Sequence, residues 1–395
     1  MPKLTIEHLP LAGKRVFVRA DLNVPLEGGA VADDTRLRAV IPTLRLALDR
    51  GAAVVLASHL GRPKGGPDPE LSLAPVAERL GTLLARRVPL APDCVGDATR
   101  AQAQALQGGE LLLLENLRFH PEEEKNDDDF ARRLAELADC YVNDAFAAAH
   151  RAHASIEAIT RHLQPAAAGL LMEQELAALG RILEAPERPL VAVLGGAKVS
   201  DKVALVEHLV GTVVDALVIG GGMAFTFLRA LGHAVGRSLV EPDRIETARS
   251  ALDQARRRGV QLALPVDVVV ANGLDSPSGR AVGIRQIPDD QMGLDIGPRT
   301  IEQFTAVLAK AKTLVWNGPM GVFEKPPFAV GTVAIARAVA GAAAFSVIGG
   351  GDTLAAVNAA GVSDKIGYIS TAGGAFLEFL EGRTLPGVAA LTEAA

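Results

Sequence analysis

The chain has 395 residues, of which 49% are hydrophobic, 22% are charged and 40 are glycines, a length and composition that predict two globular domains and exclude a disordered or fibrous protein. Its net charge of -6 gives no overall attraction to nucleic acid or to an anionic membrane surface, and no apolar run reaches the ~18 residues of a membrane span. The two cysteines, Cys94 and Cys140, form no CxxC pair, which indicates neither a disulfide framework nor a zinc site and favours a reducing compartment.

Short apolar strands alternate with helical patterns along the first half of the chain. The predicted strands are 14–20, 52–58, 110–116 and 140–144. The predicted helices are 36–50, 72–86, 98–107 and 128–138. This alternation is typical of βαβ units, whose strands form a parallel sheet covered by helices. The acidic segment 121–129 is interpreted as the solvated start of a helix.

A helix at 171–184 is predicted to connect two domains, because it ends before Pro186 and Pro189. After it the alternation resumes, with strands beginning at Leu190 and Ala216. Further strands are predicted at 261–270, 313–317, 345–349 and 367–371. Helices are predicted near 199–210, 223–230, 241–258, 299–311, 330–341 and 352–360. The sequence therefore predicts an α/β fold of two doubly wound parallel-sheet domains that face a cleft, joined by a connector helix.

Three apolar strands of the second half run directly into glycine turns, at 190–198, 216–224 and 345–353. Such a junction lets backbone N–H groups and a helix N-terminus approach an anion, so its repetition predicts a polyphosphate pocket rather than three tight turns. The P-loop, the dinucleotide-binding fingerprint and the protein-kinase motifs are all missing.

Charged residues accompany these glycine turns. Lys198 and Lys202 are four apart, so a helix beginning near Val199 would place both on one face, where an anionic ligand would explain them. Asp352 is interpreted either as a helix N-cap or as a ligand of phosphate-bound Mg²⁺. Glu324 either accepts hydrogen bonds from ribose hydroxyls or is simply solvated.

The strand ends of the first half carry basic side chains instead. Those residues are Arg19, His59, Arg62, Arg118, His150 and Arg151, and Arg36 joins the set from a predicted helix start. An arginine guanidinium binds carboxylate or phosphate through two parallel hydrogen bonds, so the set predicts a binding site for a small molecule with several negative charges. The alternative is that these residues are separate, solvated surface cations. Asp21 and Asn23 alternate along a strand end and are predicted to bind substrate hydroxyls or to orient an arginine.

Eleven motifs, taken in order along nearly the whole chain, resemble those of the phosphoglycerate kinase family. They are RADLNVP (19–25), DDTRLR (33–38), SHLGRPKG (58–65), LLENLRFH (113–120), NDAFAAAHRAHAS (143–155), LGGAKVSDK (194–202), VIGGGMAFTFL (218–228), MGLDIGP (292–298), WNGPMGVFE (316–324), GGGDT (349–353) and STAGGAFLEFLEG (370–382). The resemblance implies phosphoryl transfer between MgATP and 3-phosphoglycerate, which gives ADP and 1,3-bisphosphoglycerate and forms ATP in glycolysis. It also implies a monomeric cytoplasmic enzyme.

The resemblance assigns site residues by position. The matches to triose-phosphate contacts are Asp21, Leu22, Asn23, Arg36, His59, Leu60, Gly61, Arg62, Arg118 and Arg151. The matches to nucleotide contacts are Lys198, Lys202, Gly293, Glu324, Gly350, Gly351, Asp352 and Thr353, with Mg²⁺ at Asp352. Residues 1–170 would be the substrate domain, 171–189 the connector and 190–379 the nucleotide domain, with 380–395 packing back on the first domain.

The chain departs from the family pattern at two glycine-containing motifs. Ala147 and Ala148 replace a glycine and a threonine, and Ala372 replaces a glycine. Alanine disfavours positive φ, so these changes predict altered loop geometry wherever the replaced glycine needs that conformation.

The expected mechanism needs no catalytic base, because the nucleophile is already deprotonated. Arg36 and Lys202 are predicted to flank the migrating phosphoryl group, with backbone N–H groups near Gly373 and Gly374, after hinge closure. Two alternatives are a nicotinamide-dependent dehydrogenase, whose fingerprint is missing, and a non-catalytic protein that retains the fold and binds nucleotide or acid.

Overall fold

The computed structural model describes residues 3–394, except for the side chains of residues 212 and 213. Tertiary contacts divide the chain into two compact units. The first comprises Met1–Ala177 and Thr384–Ala395, and the second comprises Ala178–Arg383. Within residues 3–394, no helix has the length and apolar character needed to cross a membrane.

The first unit contains a parallel sheet with helices packed around it. Its strands are β1 (Arg15–Ala20), β2 (Leu26–Glu27), β3 (Ala30–Val31), β4 (Ala53–Ala57), β5 (Leu111–Leu113), β6 (Cys140–Asp144) and β7 (Ala166–Ala168). Its helices are α1 (Thr35–Asp49), α2 (Ala74–Leu84), α3 (Asp97–Ala105), α4 (Asp128–Ala135) and the start of α5 (Leu170–Leu183). The sheet order is β5-β4-β1-β6-β7, and β2 and β3 form a separate hairpin. Val16, Val18, Val54 and Leu56 are fully buried, as expected for parallel strands covered on both faces.

The second unit contains a six-stranded parallel sheet and a smaller antiparallel one. Its strands are β8 (Leu190–Leu194), β9 (Ala216–Ile219), β10 (Gln261–Ala263), β11 (Asp267–Ala271), β12 (Arg280–Gly283), β13 (Met292–Ile296), β14 (Thr313–Asn317), β15 (Phe345–Gly349) and β16 (Tyr368–Ser370). Its helices are α6 (Val203–His208), α7 (Met223–Ala230), α8 (Ile245–Arg258), α9 (Pro298–Leu308), α10 (Val330–Gly341), α11 (Gly351–Ala359) and α12 (Gly374–Leu380). The large sheet has the order β10-β9-β8-β14-β15-β16, so the predicted α/β class with two parallel sheets is confirmed.

One predicted strand was wrong. Residues 261–270 do not form a single strand, because the chain leaves the large sheet after β10 and enters the antiparallel sheet as β11. Pro265 lies between the two strands and has no N–H to donate to a ladder. The antiparallel sheet, in the order β12-β11-β13, was not predicted.

The C-terminal segment packs against the first unit. Its short helix α13 (Pro386–Ala389) is held at Gly387, whose N–H donates to the Ala149 carbonyl at 2.8 Å and whose carbonyl accepts from Asn143 Nδ2 at 3.3 Å. Farther along, the Thr392 N–H donates to the Ala166 carbonyl at 2.9 Å. These contacts tie the end of the chain to β6 and β7.

Candidate active site

Basic side chains of the first unit gather at one edge of its sheet. Arg19 lies near the end of β1, His59 follows β4, Arg118 follows β5 and Arg151 follows β6. These four parallel strands are neighbours, so their carboxyl ends lie at the same edge. The structure therefore brings together four members of the predicted acid-binding set.

Arg19 is the most buried member of this set, with 1% of its surface exposed. Its Nε donates to Ser155 Oγ at 2.8 Å, its Nη2 lies 3.1 Å from His59 Nδ1, and its Nη1 donates to the Ala20 carbonyl. Because every part of the guanidinium is engaged, Arg19 positions the neighbouring groups and adds charge to the site.

The prediction that segment 121–129 is solvated was wrong for Glu123. Helix α4 begins only at Asp128, and the preceding turns carry Glu123 into the interior, where it is 0% exposed. Its carboxylate accepts hydrogen bonds from Ser155 N–H at 2.9 Å and from Ser155 Oγ at 2.5 Å. Burial raises the pKa of Glu123, while the charge of Arg19 opposes that rise. Glu123 and Ser155 therefore form a buried support behind Arg19 that sequence reasoning missed.

Burial, together with the charges of neighbouring arginines, keeps two histidines of this region neutral. Burial, followed by the charges of Arg19, Arg118 and Arg151, holds the pKa of His59 well below its usual value. Burial and the same arginines lower the pKa of His153 to about 3. Both imidazoles are therefore neutral at pH 7 and lie beside three arginines, an arrangement suited to an anionic ligand.

Arg36 lies at the start of α1 and is more accessible than Arg19. Its Nη1 donates to Asp21 Oδ2 at 3.0 Å and to the Asn23 carbonyl at 2.9 Å, while 36% of its side chain stays exposed. Asn23 Oδ1 accepts from the Gly61 N–H at 2.9 Å, and Arg62 is exposed in the same turn. The interpretation that Asp21 orients an arginine therefore has a geometric basis.

Two buried polar residues that sequence reasoning missed hold the loops between these groups. Ser58 Oγ accepts from the Leu22 N–H at 2.9 Å. Asn116 Oδ1 accepts from the Leu60 N–H at 3.1 Å, and its Nδ2 donates to the Leu60 carbonyl at 2.8 Å. Both residues lie inside the motifs that contain His59 and Arg118, and the sequence signal for them is a polar residue directly after an apolar strand.

The glycine turns of the second unit form part of the lining of a cavity of about 440 Å³, within the usual size range of ligand pockets. The first two turns pack closely against the loop after β14. Gly196 N–H donates to the Pro319 carbonyl at 2.8 Å, and Gly221 N–H donates to the Met320 carbonyl at 3.0 Å. A Cβ at Gly221, whose φ is +67°, would lie 2.6 Å from the Gly196 nitrogen. The second turn therefore serves packing as well as lining the cavity.

Much of the remaining cavity wall is apolar. Phe225, Met292 and Val322 line it, together with Gly293 and Glu324. A Cβ on Gly293 would collide with the Phe225 ring, so this glycine lets a side chain of the wall pack closely. An apolar slot with a carboxylate at its edge can hold a flat ring bearing hydroxyl groups.

The two lysines of the first turn are not on one helix face, so that prediction was wrong. Helix α6 begins at Val203 with Lys202 as its N-cap, and Lys198 is exposed in the preceding turn. Glu241 holds this turn by accepting from the Ser200 N–H at 3.0 Å and from the Val199 N–H, which stops an earlier helix start.

Lys202 is buried beside the glycine turns. Its Nζ donates to the Gly195 carbonyl at 2.6 Å and to the Asn317 carbonyl at 3.0 Å. Burial lowers its pKa to about 8, while nearby Asp201 and Asp352 oppose the shift. The ammonium is therefore mostly protonated at pH 7 and donates to two carbonyl oxygens, for which a phosphate oxygen would be a stronger substitute.

The third turn leads into α11. Gly350 is the N-cap of this helix, so the interpretation of Asp352 as the N-cap was wrong; Asp352 lies in the first turn, is exposed and lines the cavity. Thr353 is buried, and its Oγ1 accepts from the Gly318 N–H at 2.7 Å, while Gly351 is exposed at the helix start. An exposed carboxylate beside a glycine turn fits Mg²⁺, which commonly binds one or two carboxylates together with substrate phosphates.

A fourth glycine turn precedes α12. Gly373 is the N-cap with φ of +52°, and Gly374 is the first residue of the helix. A Cβ at Gly373 would meet no atom within 4 Å, so the positive φ, rather than a lack of space, favours glycine at this position. The prediction that N–H groups at this helix start meet the phosphoryl group stays a prediction.

The family departures cause no backbone strain. Among residues 3–394, positive φ at a non-glycine residue occurs only at Ala85 and Asn126, so Ala147, Ala148 and Ala372 all keep negative φ. The predicted change of loop geometry at these positions therefore does not arise from forced positive φ.

Comparisons with known proteins agree over the full length. A sequence model described as phosphoglycerate kinase matches residues 6–383. The chain is 57% identical over 395 residues to the phosphoglycerate kinase of Moorella thermoacetica and 56% identical over 394 residues to that of Pelotomaculum thermopropionicum, with each chain covered completely. The structure of phosphoglycerate kinase from Coxiella burnetii matches with a TM-score of 0.92 at 44% identity, and that from Pyrococcus horikoshii with 0.85 at 36%, each over 98% of both chains. The chain belongs to the phosphoglycerate kinase family.

Proposed function

We propose that this chain transfers a phosphoryl group between MgATP and 3-phosphoglycerate, giving ADP and 1,3-bisphosphoglycerate. Family membership supports this activity, and none of the comparisons supports the dehydrogenase or the non-catalytic alternative. The observation that carries the residue assignment is the pairing of an arginine-rich acid site in one unit with a glycine-lined cavity in the other. The reaction runs toward ATP in glycolysis, and we further propose a cytoplasmic monomer.

The first unit binds the acid in this proposal. 3-Phosphoglycerate carries a carboxylate and a phosphate, and arginine forks suit both. The assigned contacts are Asp21, Leu22, Asn23, Arg36, His59, Leu60, Gly61, Arg62, Arg118 and Arg151. His59 is neutral, so it donates or accepts a hydrogen bond without adding charge. Arg19 supports these contacts from the interior.

The second unit binds the nucleotide in this proposal. The base occupies the apolar cavity beside Gly293, and Glu324 accepts from the ribose hydroxyls. The phosphates meet Lys198, Gly350, Gly351 and Thr353 at the glycine turns. Asp352 would hold Mg²⁺, which, when bound, neutralises charge on the phosphate oxygens.

Transfer itself depends on charge placed around the migrating group. Arg36 and Lys202 stabilise its oxygens, and the N–H groups at Gly373 and Gly374 add hydrogen bonds. Lys202 exchanges its weak carbonyl partners for a phosphoryl oxygen. In-line transfer needs reacting atoms about 3–3.5 Å apart, so we propose that a hinge motion closes the enzyme once both substrates are bound.

A coupled assay of ADP formation that depends on 3-phosphoglycerate and Mg²⁺ tests this proposal. Arg36→Ala is expected to lower kcat by about 10²–10³-fold, the usual cost of removing one electrostatic stabiliser. Arg38→Ala is the matched control, because Arg38 lies on the same helix but is exposed and pairs with Asp34 at 2.7 Å. No activity in the parent would refute the function, whereas an active Arg36→Ala variant would refute only the assigned role of Arg36.

A further inference from the structure

Two loops of the first unit meet outside the proposed active site and bring together three side chains of metal-ligating type. Asp93 and Cys94 lie in the loop before α3, and His120 lies between β5 and α4. One ligand atom from each residue lies within 4.8 Å of the other two. The sequence indicated no zinc site, because Cys94 and Cys140 lie far apart and form no CxxC pair.

Hydrogen bonds and packing hold these side chains in place. His120 Nε2 lies 2.7 Å from Asp93 Oδ1, and the Thr99 hydroxyl donates to the Asp93 carbonyl at 2.8 Å. The Phe130 ring stacks on the His120 ring with centroids 5.2 Å apart. A tetrahedral zinc ion with bonds of about 2.0–2.3 Å separates its ligand atoms by roughly 3.3–3.8 Å. Small side-chain rotations therefore suffice to admit an ion among the three groups.

The three ligands also differ usefully in their exposure. Cys94 is 0% exposed, whereas the side chains of Asp93 and His120 are 44% and 26% exposed. Asp93 and His120 line a pocket of about 350 Å³. An ion can therefore reach Asp93 and His120 through the pocket, while the buried Cys94 sulfur completes the site from the protein side.

We propose that Asp93, Cys94 and His120 form a site for a zinc-class divalent cation. Sulfur, imidazole nitrogen and one carboxylate oxygen together favour Zn²⁺ or Co²⁺ over Mg²⁺ or Ca²⁺, which prefer oxygen ligands alone. Binding forms a metal–sulfur bond, and the thiol proton leaves to solvent. The bound ion links the loop before α3 to the loop before α4, so its effect is to stabilise the first unit. This site is separate from the Mg²⁺ site proposed at Asp352.

Cobalt reports on the site directly. The untagged full-length protein, stripped of metal and free of nucleotide, is titrated with CoCl₂ alone. A near-ultraviolet charge-transfer band from thiolate to cobalt is expected to saturate at one ion per chain. Because the chain has only two cysteines, Cys94→Ser should abolish the band and Cys140→Ser, the matched control, should retain it. His120→Gln should weaken binding by at least ~10-fold, since even outer-shell changes around a metal cost about 10–100-fold.

Thermal unfolding gives a second measurement. Adding ZnCl₂ should raise the Tm of the parent and of Cys140→Ser, and it should not raise the Tm of Cys94→Ser or Cys94→Ala. Two different Cys94 variants are used so that the test still works if one of them fails to fold, and circular dichroism checks the fold of each. A parent that shows no thiolate band, or a band that survives in Cys94→Ser, would overturn the proposal.

Discussion

The acid site of the first unit and the nucleotide cavity of the second unit are built from different parts of the chain. The acid site consists of side chains, with Arg19 fixed by Ser155 and His59. The cavity is lined by apolar side chains such as Phe225 and by glycine turns, and the turns at Gly196 and Gly221 pack against the loop after β14. The first site should therefore be sensitive to changes of charge, and the second to the addition of a single carbon atom.

Removing the buried charge of the acid site is expected to have the largest effect. Arg19→Met should lower the free energy of unfolding by at most about 3–5 kcal/mol, the typical cost of leaving a buried charge uncompensated, because buried Glu123 would lose the arginine whose charge acts on it most strongly. Urea unfolding measures the change. Adding Glu123→Gln should recover part of the loss, and purely additive effects of the two substitutions would contradict an electrostatic link.

Adding one carbon to the nucleotide cavity should have the next largest effect. Gly221→Ala combines positive φ with a Cβ 2.6 Å from the Gly196 nitrogen. The matched control is Gly259→Ala, which has a similar φ of +71° but no atom within 4 Å of the added Cβ. The free energy of unfolding of Gly221→Ala should be about 1–3 kcal/mol lower than that of the control, because overpacking usually costs this much. Equal stabilities would show that conformation, rather than close packing, requires this glycine.

Acid should weaken the first unit through its neutral histidines. The pKa of His153 is lowered to about 3 in the folded protein, so between that value and its usual 6.5 the unfolded chain binds more protons and stability falls as pH falls. As the pH falls from 6.5 to 5.5, this histidine alone should lower the free energy of unfolding by about 1 kcal/mol. His153→Gln should lose less stability than the parent over that interval in urea unfolding, whereas His233→Gln in the second unit should behave like the parent. Identical pH profiles for His153→Gln and the parent would contradict the electropositive description of the site.

Restoring a family glycine should have the smallest effect. Ala372 keeps negative φ, so Ala372→Gly should relieve no strain and should cost about 0.5–1 kcal/mol in conformational entropy. Turnover in the coupled assay should stay near the parental value. A large gain in kcat would show that Ala372 obstructs the turn at Gly373.

Local patterns predicted much of this molecule correctly. Most predicted strands appear where the alternation placed them, because a run of apolar β-branched residues is buried in nearly any parallel sheet. The wrong predictions occur where a distant residue competes with the local pattern. Glu241 captures the turn at Val199 and delays the start of α6, and Ser155 draws Glu123 into the interior.

By itself, the sequence determined the α/β class, the glycine turns and the placing of basic residues at strand ends, because each depends on a few consecutive residues. Only the tertiary structure decided that Arg19 is buried while Arg36 is accessible, and that Asp93 and Cys94 meet His120. Those facts depend on the order of strands in the sheet and on which loops become neighbours. The physical reason is that burial and charge interactions act through space, between residues whose separation along the chain carries no information about their distance.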